Sequence, residues 1–405
     1  MTRRTEIRPL VAGMLAIGTA MGIGRFAYTA ILPAMERSAH LDTAFAGLLA
    51  SANYAGYLIG ALLAAAIPPG PMHRRLVIGC LGAVVLTTAA MGDTTAVAAW
   101  AGIRLVSGIA SAGVFVLVGG MILDFLRRQG RTSLSGWLYS GVGLGIATSG
   151  VVVRATMSTL GWRGDWIALA VVATVAVAVS WRWLPDAPRP VHGSSAPSGS
   201  TSTGGMRATL ALLLGAYFLE GAGYIVTGTF LVAIVDHMRG LSDAGASIWI
   251  VAGLAAIPSA ILWVRLAGRL GYIPALTVAY IAQACGTALP AVGNGLAVAL
   301  AAAVLFGGTF IGISALTLTL AGLLAPDRSS TTAIGLLTAI FGLGQIVGPL
   351  LAAFLAGHSD NFGLALTVAA GMILIGGVLM LCLYLLQGTT PFQPSVARRS
   401  GHSPQ

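Results

Sequence analysis

Three charged side chains lie within long apolar stretches of the sequence: Arg25, Arg104 and Glu220. A charge at the centre of a membrane helix costs on the order of 3 kcal/mol, so such residues are usually functional or paired. A carboxyl group in a medium of low dielectric constant holds its proton more readily, and a nearby arginine reverses this. A guanidinium binds carboxylate or phosphate through two parallel hydrogen bonds. We predict proton coupling by Glu220 and Arg104, and substrate contact by Arg25.

Each of these residues also has a purely structural interpretation. Glu220 could form a static ion pair, or stay a neutral hydrogen-bonded acid between two helices. Arg25 could do no more than neutralise Glu220, and Arg104 could pair with helix carbonyl groups. Two further polar residues fit packing roles, because Trp249 is placed as an interface anchor and Gln345 as a hydrogen bond between helices.

Aromatic and amide side chains near the charges are candidates to complete a binding site. Tyr28 lies three residues after Arg25 on the same helix face, and Tyr224 follows Glu220 by one helical turn. Each such residue taken alone is more often a packing residue than a ligand. We predict a substrate-binding set of one arginine with five aromatic or amide residues: Arg25, Tyr28, Asn53, Tyr57, Tyr139 and Tyr224.

The elements that carry these residues are membrane-spanning helices. The chain is 57% hydrophobic and 8% charged, whereas soluble domains carry roughly 25% charged residues. Lipid is therefore the solvent for most of the chain, and about 20 apolar residues cross a bilayer core. Runs of this length predict an all-α integral membrane protein with twelve spans: 9–33, 44–67, 75–92, 95–124, 134–157, 164–184, 207–235, 245–267, 272–291, 294–324, 331–356 and 361–387.

The spans form two similar halves. Glycines recur at an offset of 199 residues, so that Gly22 corresponds to Gly221 and Gly108 to Gly307. This recurrence predicts two pseudo-symmetric six-helix bundles, and a Ser/Gly/Thr-rich segment between them has the composition of a flexible linker. The predicted organisation is a bundle at 1–184, a cytoplasmic linker at 185–206, a bundle at 207–387 and a cytoplasmic tail at 388–405.

The distribution of arginine predicts the orientation. All 22 basic residues are arginines, and with both termini cytoplasmic sixteen lie in inside segments and four in outside segments. The first apolar run continues to Pro33 without a small-residue cleavage site, which predicts a span rather than a cleaved signal peptide. We expect a multi-pass protein of the plasma or inner membrane.

Several function classes lack their sequence signals. The net charge of +10 is spread over short loops rather than gathered on one face, which argues against nucleic-acid binding. Gly141-Val-Gly143-Leu-Gly145 lies inside an apolar run and is not a dinucleotide motif, and no metal-ligand, nucleophile or P-loop pattern occurs. The three cysteines are placed as packing residues. We expect no catalytic residue, metal or cofactor, and therefore no enzyme.

Several motifs resemble those of the major facilitator superfamily. Arg104-Leu-Val-Ser-Gly108 is similar to its fourth-span motif, and Gly344-Gln-Ile-Val-Gly348-Pro349 to its Gly-Pro motif. Gly22-Ile-Gly24-Arg25-Phe26-Ala27-Tyr28-Thr29, followed by Leu32-Pro33, closely resembles the YbfB/YjiJ-type branch. One departure is the loop Pro68-Pro69-Gly70-Pro71-Met72-His73-Arg74-Arg75, which lacks the aspartate that usually forms the charged cytoplasmic latch.

The resemblance implies a secondary active transporter that works by alternating access. With two buried arginines and one buried acid, we favour a small organic, anionic solute, with proton coupling and a monomeric protein in the lipid bilayer. One alternative is proton-antiport export of hydrophobic or cationic drugs, attracted by Glu220 and aromatic walls. Another is a membrane sensor or assembly subunit with a transporter fold, although the linker and tails are short for docking.

Overall fold

The structure is a computed structural model that describes residues 3–67, 70, 72–131, 134–185, 204–324, 329–359 and 362–386. Most of the predicted linker and the whole of the predicted tail lie outside these ranges. The described residues form helices and no strands. The helices are Arg3–Ile17, a π-helix Gly18–Ile23, Ala27–Ala39, Thr43–Ala66, Met72–Ala90, Val97–Arg128, Ser135–Trp183, Gly204–Asp236, Gly245–Leu270, Tyr272–Val292, Leu296–Leu324, Ser329–Ser359 and Gly363–Leu386.

Eleven described helical segments are long and apolar enough to cross a membrane, and they contain twelve spans. Ser135–Trp183 has 49 residues, which at 1.5 Å per residue is roughly twice the thickness of a bilayer core. It breaks at Gly161, whose φ of 62° and ψ of −178° only glycine adopts readily. Spans 5 and 6 therefore lie before and after Gly161, as predicted. Span 1 runs from Ile7 to Ala39, six residues beyond its predicted end.

The two halves pack in the same way. Span 1 packs against span 5 and span 7 against span 11, and spans 2 and 4 pair as spans 8 and 10 do. A Cβ on Gly22 would lie 2.3 Å from Gly145, and one on Gly344 would lie 3.1 Å from the carbonyl carbon of Gly221. These two contacts are related by the offset of 199, because 22 and 145 map onto 221 and 344. The fold is thus two pseudo-symmetric six-helix bundles.

The pseudo-symmetry axis passes between spans 1 and 7. The hydroxyl of Thr29 donates to the carbonyl of Gly228 at 2.5 Å, and these two positions are themselves 199 residues apart. Equivalent residues touch each other only where an axis relates them. The halves also meet where spans 5 and 8 pack together and where spans 2 and 11 pack together, with Ser51 donating to Ile346 O at 2.8 Å.

We expect Gly108→Ala to lower the melting temperature of the purified protein, because spans 2 and 4 approach too closely for a side chain there. A Cβ on Gly108 would lie 2.0 Å from Asn53 O, and overpacking of this kind costs about 1–3 kcal/mol. Gly120→Ala in the same helix is the control, since nothing lies within 4 Å of a Cβ there. Equal melting temperatures for the two variants would contradict the close packing.

Candidate functional site

Span 1 is broken near its middle, and span 4 supplies hydrogen bonds to the break. The α-helix changes to a π-helix at Gly18–Ile23, a turn covers 24–26, and a new helix begins at Ala27. π-helical turns are frequent at functional sites. The break leaves carbonyl groups without helical donors, and in the apolar interior these need other partners.

Three side chains of span 4 donate to those carbonyls. Arg104 donates from Nη1 to Gly24 O and from Nη2 to Arg25 O, both at 3.1 Å. Ser107 also donates to Gly24 O at 2.9 Å, and Ser111 donates to Ala20 O at 2.9 Å. The guanidinium of Arg104 also lies 4.8 Å from the ring of Tyr28. The geometry therefore favours the carbonyl-pairing interpretation of Arg104 over a role in proton movement.

We expect Arg104→Lys to lower the melting temperature, although it keeps the positive charge. One ammonium cannot reach both carbonyls with the geometry of a guanidinium fork, and Arg25 O would lose its donor. An unpaired buried carbonyl costs about 1–3 kcal/mol. The control is Arg127→Lys in the same helix, where the side chain is 73% exposed. Loss of proton coupling in Arg104→Lys with an unchanged melting temperature would contradict the structural role.

The break presents Arg25 in a cage of aromatic rings. Its guanidinium carbon lies 4.4 Å from the ring of Tyr57, 4.5 Å from Tyr54 and 5.2 Å from Phe26. Arg25 is 2% exposed, and its Nε and Nη2 atoms have no hydrogen-bond partner among the described residues. Arginine commonly stacks on aromatic faces, but these faces leave the in-plane N–H groups free. The cage therefore holds a desolvated cation whose Nε and Nη2 donors point to no acceptor among the described residues.

Glu220 lies in a separate polar cluster inside the second half. Its Oε1 accepts a hydrogen bond from Gln283 of span 9 at 2.7 Å, and Gln283 accepts one from Thr309 of span 10 at 2.7 Å. Oε2 is buried and has no hydrogen-bond partner in the part of the chain that the structure describes. Both Arg25 and Glu220 are described, and no ion pair joins them. The interpretation in which Arg25 only neutralises Glu220 is not supported by this arrangement.

The polar cluster has no counterpart in the first half. At an offset of 199 residues, Glu220, Gln283 and Thr309 correspond to three apolar residues: Met21, Val84 and Ala110. Symmetric packing therefore does not require polar side chains at these positions. A buried acid at a position where the other half has methionine is a sign of a specialised role in that half.

Tyr224 stands in a stack of aromatic rings opposite Arg25. Its ring is stacked with those of Phe310, Phe306 and Phe341 at centroid distances of 5.8, 6.3 and 5.5 Å. Its hydroxyl accepts a hydrogen bond from Gln345. Gln345 does connect two packed helices, as the sequence indicated, but it does so beside the predicted site.

The remaining predicted residues divide into two groups. Tyr57 and Tyr139 join the Arg25 side of the site, since the ring of Phe115 lies 6.4 Å from the first and 5.6 Å from the second. Tyr28 and Asn53 instead hold the helices around Arg104. The hydroxyl of Tyr28 donates to Ala46 O at 3.1 Å, and the Asn53 amide donates to Arg104 O at 2.9 Å.

Sequence reasoning missed several residues of this region. Gln283 and Thr309 are polar residues inside apolar spans, a signal that could have identified them. Tyr54 lies three residues before Tyr57 on one helix face and could have been found by its spacing. Phe310 and Phe306 carry no such signal, because phenylalanine is common throughout apolar spans. Trp249 is fully buried and stacks 6.2 Å from Phe306, so its expected role as an interface anchor was wrong.

Known proteins with similar sequences and folds are membrane transporters. Residues 17–381 match a family model described as "Uncharacterised MFS-type transporter YbfB". The chain is 28% identical over 365 residues to a chloramphenicol resistance protein of Streptomyces lividans, covering 87% of this chain and 91% of that protein.

Two solved structures share the fold at low sequence identity. The nucleoside transporter NupG superposes with a TM-score of 0.71 at 14% identity, covering 94% of this chain and 98% of NupG. A bacterial homologue of the human lysosomal transporter Spinster, in an inward-facing and unoccupied conformation, gives 0.62 at 18% identity, covering 95% of this chain and 96% of that one. The chain belongs to the YbfB-type family of major facilitator superfamily transporters.

Proposed function

We propose that this protein is a secondary active transporter of a small organic anion, coupled to protons and working by alternating access. The observation that carries the proposal is the buried guanidinium of Arg25, whose Nε and Nη2 have no hydrogen-bond partner in the described chain. An unpaired buried charge is costly, and a bound anion would compensate it. Arg25 also lies on the broken span 1 beside span 7, where the two halves meet, as expected for a site at a repeat interface.

Glu220 is the group that we propose carries the coupled proton. It is 1% exposed and has a free oxygen, Oε2, alongside the one that Gln283 binds. This arrangement accommodates a protonated acid, because Oε2 then carries the proton and the bond from Gln283 is kept. The anion contact, Arg25, and the proton carrier, Glu220, would then lie in different halves. Substrate and proton would be coupled through the relative movement of the halves rather than by direct contact.

Reconstitution into proteoliposomes tests this function. An inward-directed or outward-directed pH gradient should drive movement of an organic acid across the membrane, and collapsing the gradient with a proton ionophore should abolish accumulation. Accumulation that responds to a sodium gradient but not to a pH gradient would show that sodium, and not the proton, is the coupling ion. Movement that no ion gradient can drive uphill would make the protein a facilitator and refute secondary active transport.

Export of drugs is the second candidate. It is favoured by the similarity over 91% of the length of a chloramphenicol resistance protein and by the aromatic rings beside Tyr224. In that case Glu220 attracts cationic compounds and the rings hold neutral ones. Lipophilic cations or chloramphenicol should then stabilise the protein while organic acids do not, which is the reverse of the result expected for anion transport.

We propose that the protein lies in the cell membrane with both termini in the cytoplasm. Arginine placement supports this orientation, with sixteen residues in inside segments and four in outside segments. A Ser195→Cys substitution in a variant free of Cys80, Cys285 and Cys382 should react with a membrane-impermeant maleimide only after the inner side is exposed. Labelling of intact cells would overturn the orientation.

A further inference from the structure

The geometry points to a planar aromatic carboxylate as the substrate: the carboxylate binds Arg25 and the ring lies between aromatic side chains of the two halves. This inference rests on the proposed function, since it requires an anion at Arg25. It goes further because it also specifies the apolar part of the substrate.

The first half provides an aromatic wall that begins at Arg25. The rings of Tyr54 and Tyr57 enclose the guanidinium at 4.5 and 4.4 Å. Phe115 lies 6.4 Å from Tyr57, and Tyr139 lies 5.6 Å from Phe115. The wall therefore runs from span 2 through span 4 to span 5.

The second half provides a wall of nearly parallel rings. Tyr217 stacks on Phe341 at 4.3 Å and 17°, and Phe341 is followed by Tyr224 at 5.5 Å and 11°. Phe310 and Phe306 continue the stack with interplanar angles of 11°. Parallel flat faces select flat ligands, because an aromatic ring gains offset stacking that a puckered aliphatic ring of similar size does not.

Phe26 joins the two walls next to the cation. It follows Arg25 in the sequence, and its ring lies 6.0 Å from Phe310 and 6.4 Å from Trp249 of the second half. When the carboxylate of a ligand binds Arg25, a single attached ring system is therefore long enough to contact aromatic side chains of both halves. The positive charge and the flat apolar surface together match an aromatic acid better than an aliphatic acid or a cation.

Two kinds of observation indicate that the space between the walls receives a ligand. The rings of Phe115, Tyr139 and Phe341 are only partly buried, although each of them packs against another aromatic ring of its own half. Beside the stack, Trp249 Nε1 and Gln345 Oε1 are buried without a hydrogen-bond partner among the described residues. Buried polar groups normally have partners, and a polar substituent on a bound ring would supply them.

The test compares three probes on the purified full-length protein by thermal shift at neutral pH. Benzoate has both the charge and the ring, cyclohexanecarboxylate keeps the charge but is not flat, and benzamide keeps the ring without the charge. We expect benzoate to bind about tenfold more tightly than cyclohexanecarboxylate, and benzamide to give no shift. Phe341→Leu should remove the preference for benzoate, while Phe362→Leu, at a ring pair near the start of span 12, should keep it.

The outcomes separate this inference from the proposed function. Equal binding of the two acids, with pH-driven transport of either, would overturn the aromatic class and leave anion transport standing. Binding of benzamide as tight as that of benzoate would overturn both, because the charge would then contribute nothing. Absence of a shift with all three probes at millimolar concentration also counts against the inference.

Discussion

Arg25→Ala is expected to reduce transport of an organic acid by more than about 100-fold while leaving the protein folded. Removing one partner of a buried ion pair costs about 3–5 kcal/mol, and each 1.4 kcal/mol is a factor of ten. The substrate carboxylate would lose that partner. Stability without substrate should not fall, because Arg25 has no acidic partner in the described chain and its removal takes away a buried, unpaired charge.

The measurement is initial uptake of benzoate into proteoliposomes, together with the melting temperature of each variant. Arg25→Lys should retain part of the activity, since the charge remains but the fork geometry is lost. Arg163→Ala is the matched control, because that arginine also stacks on an aromatic ring, 5.1 Å from Trp162, but is exposed. Full uptake by Arg25→Ala would exclude Arg25 as the anion contact. A melting temperature well below that of the parent would instead indicate a structural role.

Glu220→Gln is expected to abolish accumulation driven by a pH gradient and to keep exchange of substrate across the membrane. Glutamine has the shape of a protonated glutamic acid and can keep the bond to Gln283, but it cannot release a proton. Because Arg25, the proposed contact for the anion, belongs to the other half, binding itself should survive. If one proton is coupled to each substrate molecule, a gradient of one pH unit sustains about tenfold accumulation of substrate. The variant should show no accumulation above equilibrium.

Two assays in the same proteoliposomes separate these effects. Counterflow exchange measures binding and alternation of access without a gradient, and gradient-driven uptake measures coupling. Asp165→Asn serves as the control, because Asp165 is another fully buried acid whose carboxylate accepts a hydrogen bond from Thr156. Undiminished pH-driven accumulation by Glu220→Gln would show that another group carries the proton. Loss of both activities would place Glu220 in substrate binding or in the conformational change.

Much of the fold was predictable because its causes are local. Composition and the length of apolar runs identify a membrane helix without knowledge of its neighbours, so all twelve spans were found, including the two joined at Gly161. The glycine repeat predicted the two similar bundles, since glycine is needed wherever backbones approach closely. The end of span 1 was misplaced because Glu36 and Arg37 interrupt the apolar pattern although the helix continues to Ala39.

The candidate site was predicted only in part. A buried charge in lipid is conspicuous, so Arg25, Arg104 and Glu220 were found from their positions in apolar runs. Their partners were not, because the direction of a side chain depends on how its helix is rotated against its neighbours. Tyr28 and Asn53 were predicted to bind substrate, and the structure places both of them against Arg104 of span 4.

The amino-acid sequence by itself determined that this chain is a membrane protein with twelve spans in two related halves. The reason is that the free energy of transferring a helix into lipid depends on its composition and length. Only the tertiary structure decided that Arg25 and Glu220 are not paired with each other. The physical reason is the break in span 1, where a π-helix shifts the register and turns Arg25 toward Tyr54 and Tyr57. Glu220 meanwhile faces Gln283 within its own bundle. Pairing between distant helices depends on that geometry and not on spacing along the chain.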